Sequence, residues 1–428
     1  PTDPAQMLYS EMADVRLDTL GRLVEPRIAP PEVDEPASPA SAPDWAPLFA
    51  EAGLDITAFA PSEPRRTPPL YADARVAWEG VFPERPDLPL RVEAASYRGR
   101  PVSFQLAEPW RTPYRMTPYE TDAATRRLLA FILAVFVAIL AAGVWLARRN
   151  FRLGRGDRSG AFKLALFGFA TSLAGDLVGA SHVSTFQGEF WLLASLAAKG
   201  LLTGALLWLL YSALEPYVRR RAPHRLVAWT RLLAGRARDP LVGRDVLVGA
   251  LLGVGMNGLN WSGELAARAA GAPPDFGGPR LESLLGVTGI APIFVGSQPA
   301  IALAHGLGFV FLLFLLSLVL GGERRAAAGT WVLFVAAFAV GGTQPVPLLF
   351  SAVLAAAYVF VASRFGLLAI AVGQFVFFTV LFYPYTTDVA AWYAGVTAFS
   401  VSVIVGLAVY GFWASLGGRP IVRSELLD

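Results

Sequence analysis

Residues 128–147 read LLAFILAVFVAILAAGVWLA, twenty consecutive positions without a charge. A helix rising about 1.5 Å per residue needs that length to cross a hydrocarbon core of roughly 30 Å. Outward from this stretch, eight further apolar runs follow at 161–180, 190–213, 245–263, 297–320, 326–342, 347–363, 366–383 and 390–416. Each is bounded by polar or Gly/Pro-rich breaks. The pattern predicts an all-α polytopic membrane bundle of about nine transmembrane helices over 126–428, preceded by a small α+β soluble domain over 1–125.

The average composition, 54% hydrophobic and 16% charged, hides two unlike parts. Residues 1–125 hold 20 of the 32 prolines and set 12 Arg against 20 acidic residues. The remainder sets 24 Lys+Arg against 13 acidic residues, so the basic balance belongs to the membrane part and implies no nucleic acid partner. With no cysteine, disulfides, thiolate metal sites and a cysteine nucleophile are excluded. The chain begins at Pro1 without an initiator Met or a signal sequence, which reads as a fragment or a processed product.

In the first part, residues 8–30 predict a hairpin: Val15–Asp18 and Arg22–Glu25 alternate apolar and polar residues around Leu20-Gly21. The Pro/Ala/Ser-rich stretch 31–43 predicts an extended linker, and Asp44 an N-cap for a short helix ending near Gly53. Further strands are expected at 74–81 and 91–105, the second folded back at Tyr97-Arg98-Gly99-Arg100.

An odd number of spans puts the termini on opposite sides. With residues 1–125 outside, the inner segments hold 19 Lys+Arg and the outer ones four, namely Arg126, Arg127, Arg268 and Arg280. By the positive-inside rule, residues 1–125 are expected outside the cytoplasm and the C-terminus within it. Moving such a domain across a membrane implies an upstream helix before Pro1 and a cytoplasmic module ahead of it.

The basic loop 214–244 mixes arginines with Leu226, Trp229, Leu232 and Leu233 at three- and four-residue spacing. It fits an interfacial amphipathic helix whose Arg219, Arg220, Arg221, Arg225 and Arg231 meet anionic lipid headgroups, or a plain positive-inside loop. Gly253-Val254-Gly255-Met256-Asn257-Gly258 has the GxGxxG form, but no strand precedes it. Close helix packing through Gly249 and Gly253 is the better account. Asp275-Phe276-Gly277 imitates the magnesium-binding tripeptide of protein kinases, without a catalytic loop or strand lysine in the chain.

Asp176 and Lys199 fall inside spans at compatible depths, as an intramembrane ion pair or as a ligand or proton site. His305, Asn257, Asn260 and Gln374 are expected as interhelical hydrogen-bond partners. Three scattered histidines give no metal site, and neither a catalytic constellation nor a cofactor is expected.

Several segments together resemble the C-terminal membrane region of bacterial transmembrane serine/threonine protein kinases. They are Ala213-Leu214-Glu215-Pro216-Tyr217-Val218-Arg219-Arg220-Arg221, Leu232–Arg236 with Arg238–Asp245, Ala147–Asn150 with Arg152–Asp157, Asp44-Trp45-x-Pro47-Leu48-Phe49, and Ser415–Pro420. The resemblance spans the whole chain. It implies a non-catalytic anchor and sensor region in a bacterial inner membrane, coupled to an upstream cytoplasmic kinase domain, with a homo-oligomer as a further possibility. No catalytic residue of such kinases has a counterpart here. The rival reading from the residues is a stand-alone polytopic transporter or channel component, motivated by Asp176, Lys199 and the Gly/Pro-interrupted spans. An intramembrane enzyme is disfavoured by the lack of paired catalytic groups.

Overall fold

A computed structural model describes residues 9–18, 20–33, 42–111, 116, 123–271, 280–340 and 345–419. The chain divides into two compact units, residues 1–120 and 121–428.

The N-terminal unit is a six-stranded antiparallel sheet with one short helix against it. Its elements are β1 (Ala13–Leu17), β2 (Leu23–Ile28), α1 (Ala46–Glu51), β3 (Ala60–Ser62), β4 (Ala74–Phe82), β5 (Arg85–Tyr97) and β6 (Arg100–Ala107). The sheet order is β1-β2-β6-β5-β4-β3. The β1–β2 turn closes because the Asp18 carboxylate accepts from the amides of Leu20 (2.8 Å) and Arg22 (2.9 Å).

β5 begins six residues earlier than the alternation suggests, because Pro86 and Pro89 disguise its first half. The ladder to β6 ends at Arg91 opposite Ala107, so both prolines lie where β5 pairs with β4 alone. An edge of this kind tolerates a missing N–H.

The core of the unit is aromatic. Phe49, from α1, is buried with its ring edge-on to Trp78 at 5.2 Å and to Phe104 at 5.4 Å, and Trp45 meets Trp78 at 6.0 Å. Such pairs contribute about 0.5–1.5 kcal/mol each beyond area burial. They give α1 and its N-cap residue Trp45 their role: together they deliver two rings to one face of the sheet.

The second unit is helical: α2 (Ala123–Arg152), α3 (Arg158–Gly179), α4 (Phe186–Arg221), α5 (Val227–Leu233), α6 (Pro240–Ala269), α7 (Val287–Ala291), α8 (Gln298–Val319), α9 (Glu323–Val340), α10 (Pro345–Arg364), α11 (Leu367–Phe382) and α12 (Ala394–Ser415). A π-helical turn, Pro292–Ser297, joins α7 to α8. Six helices among the described residues are long and apolar enough to cross a membrane: α2, α3, α4, α6, the continuous run Val287–Val319, and α12.

Nine expected spans thus become six that meet both requirements. α9 opens on Glu323-Arg324-Arg325, the apolar part of α10 is Leu348–Arg364, and α11 has only 16 residues. At 1.5 Å per residue α11 rises about 24 Å, short of a full hydrocarbon core. An apolar run in sequence does not separate a core helix from a span, and α11 is mostly buried among its neighbours. α2 is the opposite case. Leu129, Ile132, Leu133, Phe136 and Val137 are exposed along it, a surface that needs a hydrocarbon solvent.

Small residues bring the helices close. A Cβ on Gly249 would stand 2.6 Å from the Ala369 carbonyl oxygen, and one on Gly253 would stand 2.5 Å from that of Gly373, so α6 and α11 touch along this stripe. Gly243 of α6 and Gly411 of α12 make a similar approach.

Among the described residues of the N-terminal unit, Glu25 is the most deeply buried charged side chain. Glu25, 1% exposed, accepts from Arg27 Nη2 and Arg111 Nη2 at 2.6 Å each and from Gln105 Nε2 at 3.0 Å. Burial alone would push its pKa up, but the Arg111 and Arg27 hydrogen bonds outweigh burial and hold the carboxyl below the usual range. The stability it contributes is therefore present above its unfolded pKa of about 4.3 and is lost as pH falls through the lower folded value. In the full chain, protection of the N-terminal unit against an acid-active protease should fall steeply below that pH. Glu25→Gln should be less protected at neutral pH and show a flatter acid profile. An unchanged acid profile in the variant would contradict this role.

Candidate functional site

The arginine-bearing segments, scattered in sequence, are gathered around the C-terminal end of α4. Pro216 lies inside that helix and has no N–H for the Ser212 carbonyl. Asn150, at the end of α2, supplies the missing donor: its Nδ2 donates to Ser212 O at 2.9 Å and to Ala213 O at 3.3 Å. α2 stops here because Gly154 adopts φ +64°, letting the Arg155 amide reach back to the Asn150 carbonyl at 2.9 Å.

The α2–α3 turn is then fastened to α4 by polar groups. Glu215, 1% exposed, accepts from the Asp157 amide at 3.1 Å and pairs with Arg219 at 2.5 Å. The Asp157 carboxylate caps α3 through the Gly160 amide (2.8 Å) and accepts from the Tyr211 hydroxyl (3.3 Å). Lys163 Nζ reaches the Leu233 carbonyl at 2.9 Å.

Beyond α4 the chain turns inward. Leu226 and Trp229 are 3% and 6% exposed and belong to the main core of the bundle, with Leu232 and Leu233 packed against it. The interfacial helix expected here is therefore corrected: α5 is seven residues long, and its apolar side meets protein instead of acyl chains. Arg225 is drawn inward with it and has partners within the protein. It is 8% exposed, donates through Nε to the Ser363 carbonyl at 3.3 Å and pairs with Glu323 at 3.2 Å. Gly366, at φ +93°, lies so close that a Cβ would stand 2.2 Å from the Arg225 carbonyl oxygen. No other residue type fits there.

Arg231 is held between both oxygens of Asp239 at 2.7 Å. Asp239 also caps α6 through the Leu241 amide at 2.9 Å. Burial works to raise its pKa, but the Arg231 bond and the Leu241 amide hold it below the ordinary range. Of the five arginines expected at lipid headgroups, Arg219, Arg225 and Arg231 thus have carboxylate partners within the protein, while Arg220 and Arg221 are exposed.

The second polar place lies within the helices. Lys199 Nζ of α4 is 2.8 Å from Asp176 Oδ1 of α3, and Ser172 Oγ donates to Asp176 Oδ2 at 3.3 Å. The Asp176 side chain is 8% exposed and that of Lys199 56%, so only the carboxylate is enclosed. A Cβ on the adjacent Gly175 would stand 2.4 Å from the Gly296 amide nitrogen, which sets the π-helical turn against this point of α3. Turns of this type recur at functional sites.

Other expected positions separate. Asn257 Nδ2 donates to Gly253 O at 3.0 Å and to Phe377 O at 3.1 Å, joining α6 to α11. His305 bonds the Ile301 carbonyl of its own helix at 2.9 Å, Asn260 is exposed, and Gln374 is buried. The GxGxxG glycines lie within α6, and 275–277 falls outside the described residues. Sequence reading missed Gln298, whose Nε2 donates to Phe375 O (2.9 Å) and Thr379 Oγ1 (2.6 Å). A glutamine beginning a Pro-containing apolar run is the only signal it leaves. Among the described residues, no group of three or more His, Asp or Glu could hold a metal ion. The chain matches no family model, no curated protein and no solved structure.

The Asp176–Lys199 geometry makes a testable statement. A lone charge costs about 2.5–3.5 kcal/mol at mid-membrane on insertion scales and less toward a helix end, where Asp176 lies, and removing Lys199 strands an enclosed carboxylate. Asp176→Leu and Lys199→Met should each lower thermal stability in detergent, and the double variant should recover most of the loss. Simple addition of the two effects would show that the pair contributes nothing as a pair.

Proposed function

We propose that this chain is the non-catalytic membrane anchor and sensor region of a bacterial serine/threonine protein kinase, coupling a unit outside the cytoplasm and a helical bundle to a kinase domain upstream of Pro1. The resemblance in the Ala213–Arg221, Arg238–Asp245 and Asp44–Phe49 segments motivates the family. The observation that carries the topology is the convergence of the arginine-rich segments. Asn150 and Asp157, Ser212 and Glu215, Arg225, Glu323 and Ser363 all meet at one end of the bundle.

With that end facing the cytoplasm, the 19 basic residues of these segments obey the positive-inside rule. α9, α10 and α11 begin or finish at the same end, through Glu323, Ser363 and Gly366. This supports nine passes in all, three of them by helices too short or too charged to qualify alone.

A second reading, a polytopic transporter or channel component, is favoured by one observation, the Asp176–Lys199 pair beside the π-helical turn. The two readings differ in what the full-length product does at the cytoplasmic face. Right-side-out and inside-out vesicles carrying Ala60→Cys or Ala234→Cys in the full-length protein should label with an impermeant maleimide only at position 60 and only at position 234, respectively. Inside-out vesicles alone should incorporate phosphate from added ATP. Labelling from the same side would sink the topology, and a product without phosphate incorporation would sink the kinase reading.

A further inference from the structure

Where α4 ends, its last turn, the following bend and the α8–α9 connection line an open-mouthed cavity of about 330 Å³. Its polar wall is made by Arg221, Arg225 and Glu323, and its apolar wall by Val218, Phe314 and Leu318. The size falls within the range of small-ligand sites, roughly 300–1,000 Å³. We propose that this cavity binds the phosphate headgroup of an anionic phospholipid.

The charge balance is the first support. Arg225 and Glu323 form an ion pair, leaving Arg221, which has no carboxylate partner among the described residues. The cavity therefore holds one uncompensated positive charge. Arg225 is also fixed, because the Ser363 carbonyl accepts from its Nε and its side chain is 9% exposed. A guanidinium held from behind is a preorganised wall; an exposed one beside it supplies the planar donors that match phosphate oxygens.

The apolar wall decides the source of the phosphate. A free inorganic anion gains nothing from Val218, Phe314 and Leu318. A phosphatidyl group needs such a surface for its glycerol and the first carbons of its acyl chains. Leu318 is 44% and the adjacent Val319 is 79% exposed, so apolar surface continues from the cavity along α8. Basic pockets between helices at the membrane surface are the form that headgroup recognition takes. Gly321 and Gly322 complete the opposite rim without side chains to obstruct entry. The inference needs only that the bundle lies in a membrane and stands apart from the kinase reading.

The test uses the full chain in detergent micelles, titrated with dioleoyl phosphatidylglycerol, dioleoyl phosphatidylcholine and inorganic phosphate, with bound lipid counted by native mass spectrometry. Phosphatidylglycerol should bind saturably, phosphatidylcholine and inorganic phosphate weakly. Arg221→Gln should weaken phosphatidylglycerol binding about fivefold, the effect of one basic side chain near a lipid surface. Leu318→Trp, which fills the cavity without altering charge, should weaken it as well. Arg220→Gln, outside the cavity, should not. Equal binding of phosphatidylcholine, equal binding of inorganic phosphate, full affinity in Leu318→Trp, or an Arg220→Gln effect matching that of Arg221→Gln would each overturn the site.

Discussion

A helix carried through a hydrocarbon solvent must satisfy every backbone polar group within itself or against a neighbour. Pro216 breaks that condition inside α4, and Asn150 restores it from α2 by donating to the Ser212 carbonyl. Much of the basic end of the bundle is arranged around this repair. The Asn150 side chain fixes how the end of α2 meets α4. That places the α2–α3 turn over Glu215, and Glu215 then holds the Asp157 amide. Beyond the proline, α4 continues to Arg221 and the chain bends into the core at Leu226.

Charge follows the same logic. An arginine at the end of a span is cheap in water and costly inside, so the buried Arg225 requires partners, and Glu323 and the Ser363 carbonyl provide them from two other helices. That one guanidinium ties the turn after α4 to α9 and α10, and Gly366 allows α11 to begin against its backbone. Arg221, four residues earlier, has no such partner and faces the cavity. The difference between a structural arginine and a recognition arginine is set here by one carboxylate.

Much of the architecture was legible because it is local. The uncharged run 128–147 lies within one helix and the Asp18 turn closes within four residues; a short helix follows Asp44 as expected, though it spans Ala46–Glu51 and its N-cap is Trp45, not Asp44. What escaped is what depends on distant partners. Arg219 and Arg225 look alike in sequence, yet the partner of the first is four residues away and that of the second is 98 residues away. Leu226 and Trp229 have the spacing of an interfacial helix, and periodicity cannot say whether lipid or protein covers the apolar side. The short length of α11 is visible, but that it packs into the stripe of Gly249 and Gly253 is not. For Asp176 and Lys199 the sequence supplied depth and sign, and the 2.8 Å contact came from the packing of α3 on α4.

The repair at Pro216 is open to a direct double-mutant cycle on the full chain reconstituted in a bilayer, with unfolding free energy as the readout. Asn150→Leu leaves the buried Ser212 carbonyl without a donor and should cost about 1–3 kcal/mol. In a Pro216→Ala background the restored amide at position 216 can donate to that carbonyl, so the same Asn150→Leu change should cost markedly less. Equal costs in the two backgrounds would contradict the account, since Asn150 would then be serving some purpose other than replacing the hydrogen bond that the proline removes.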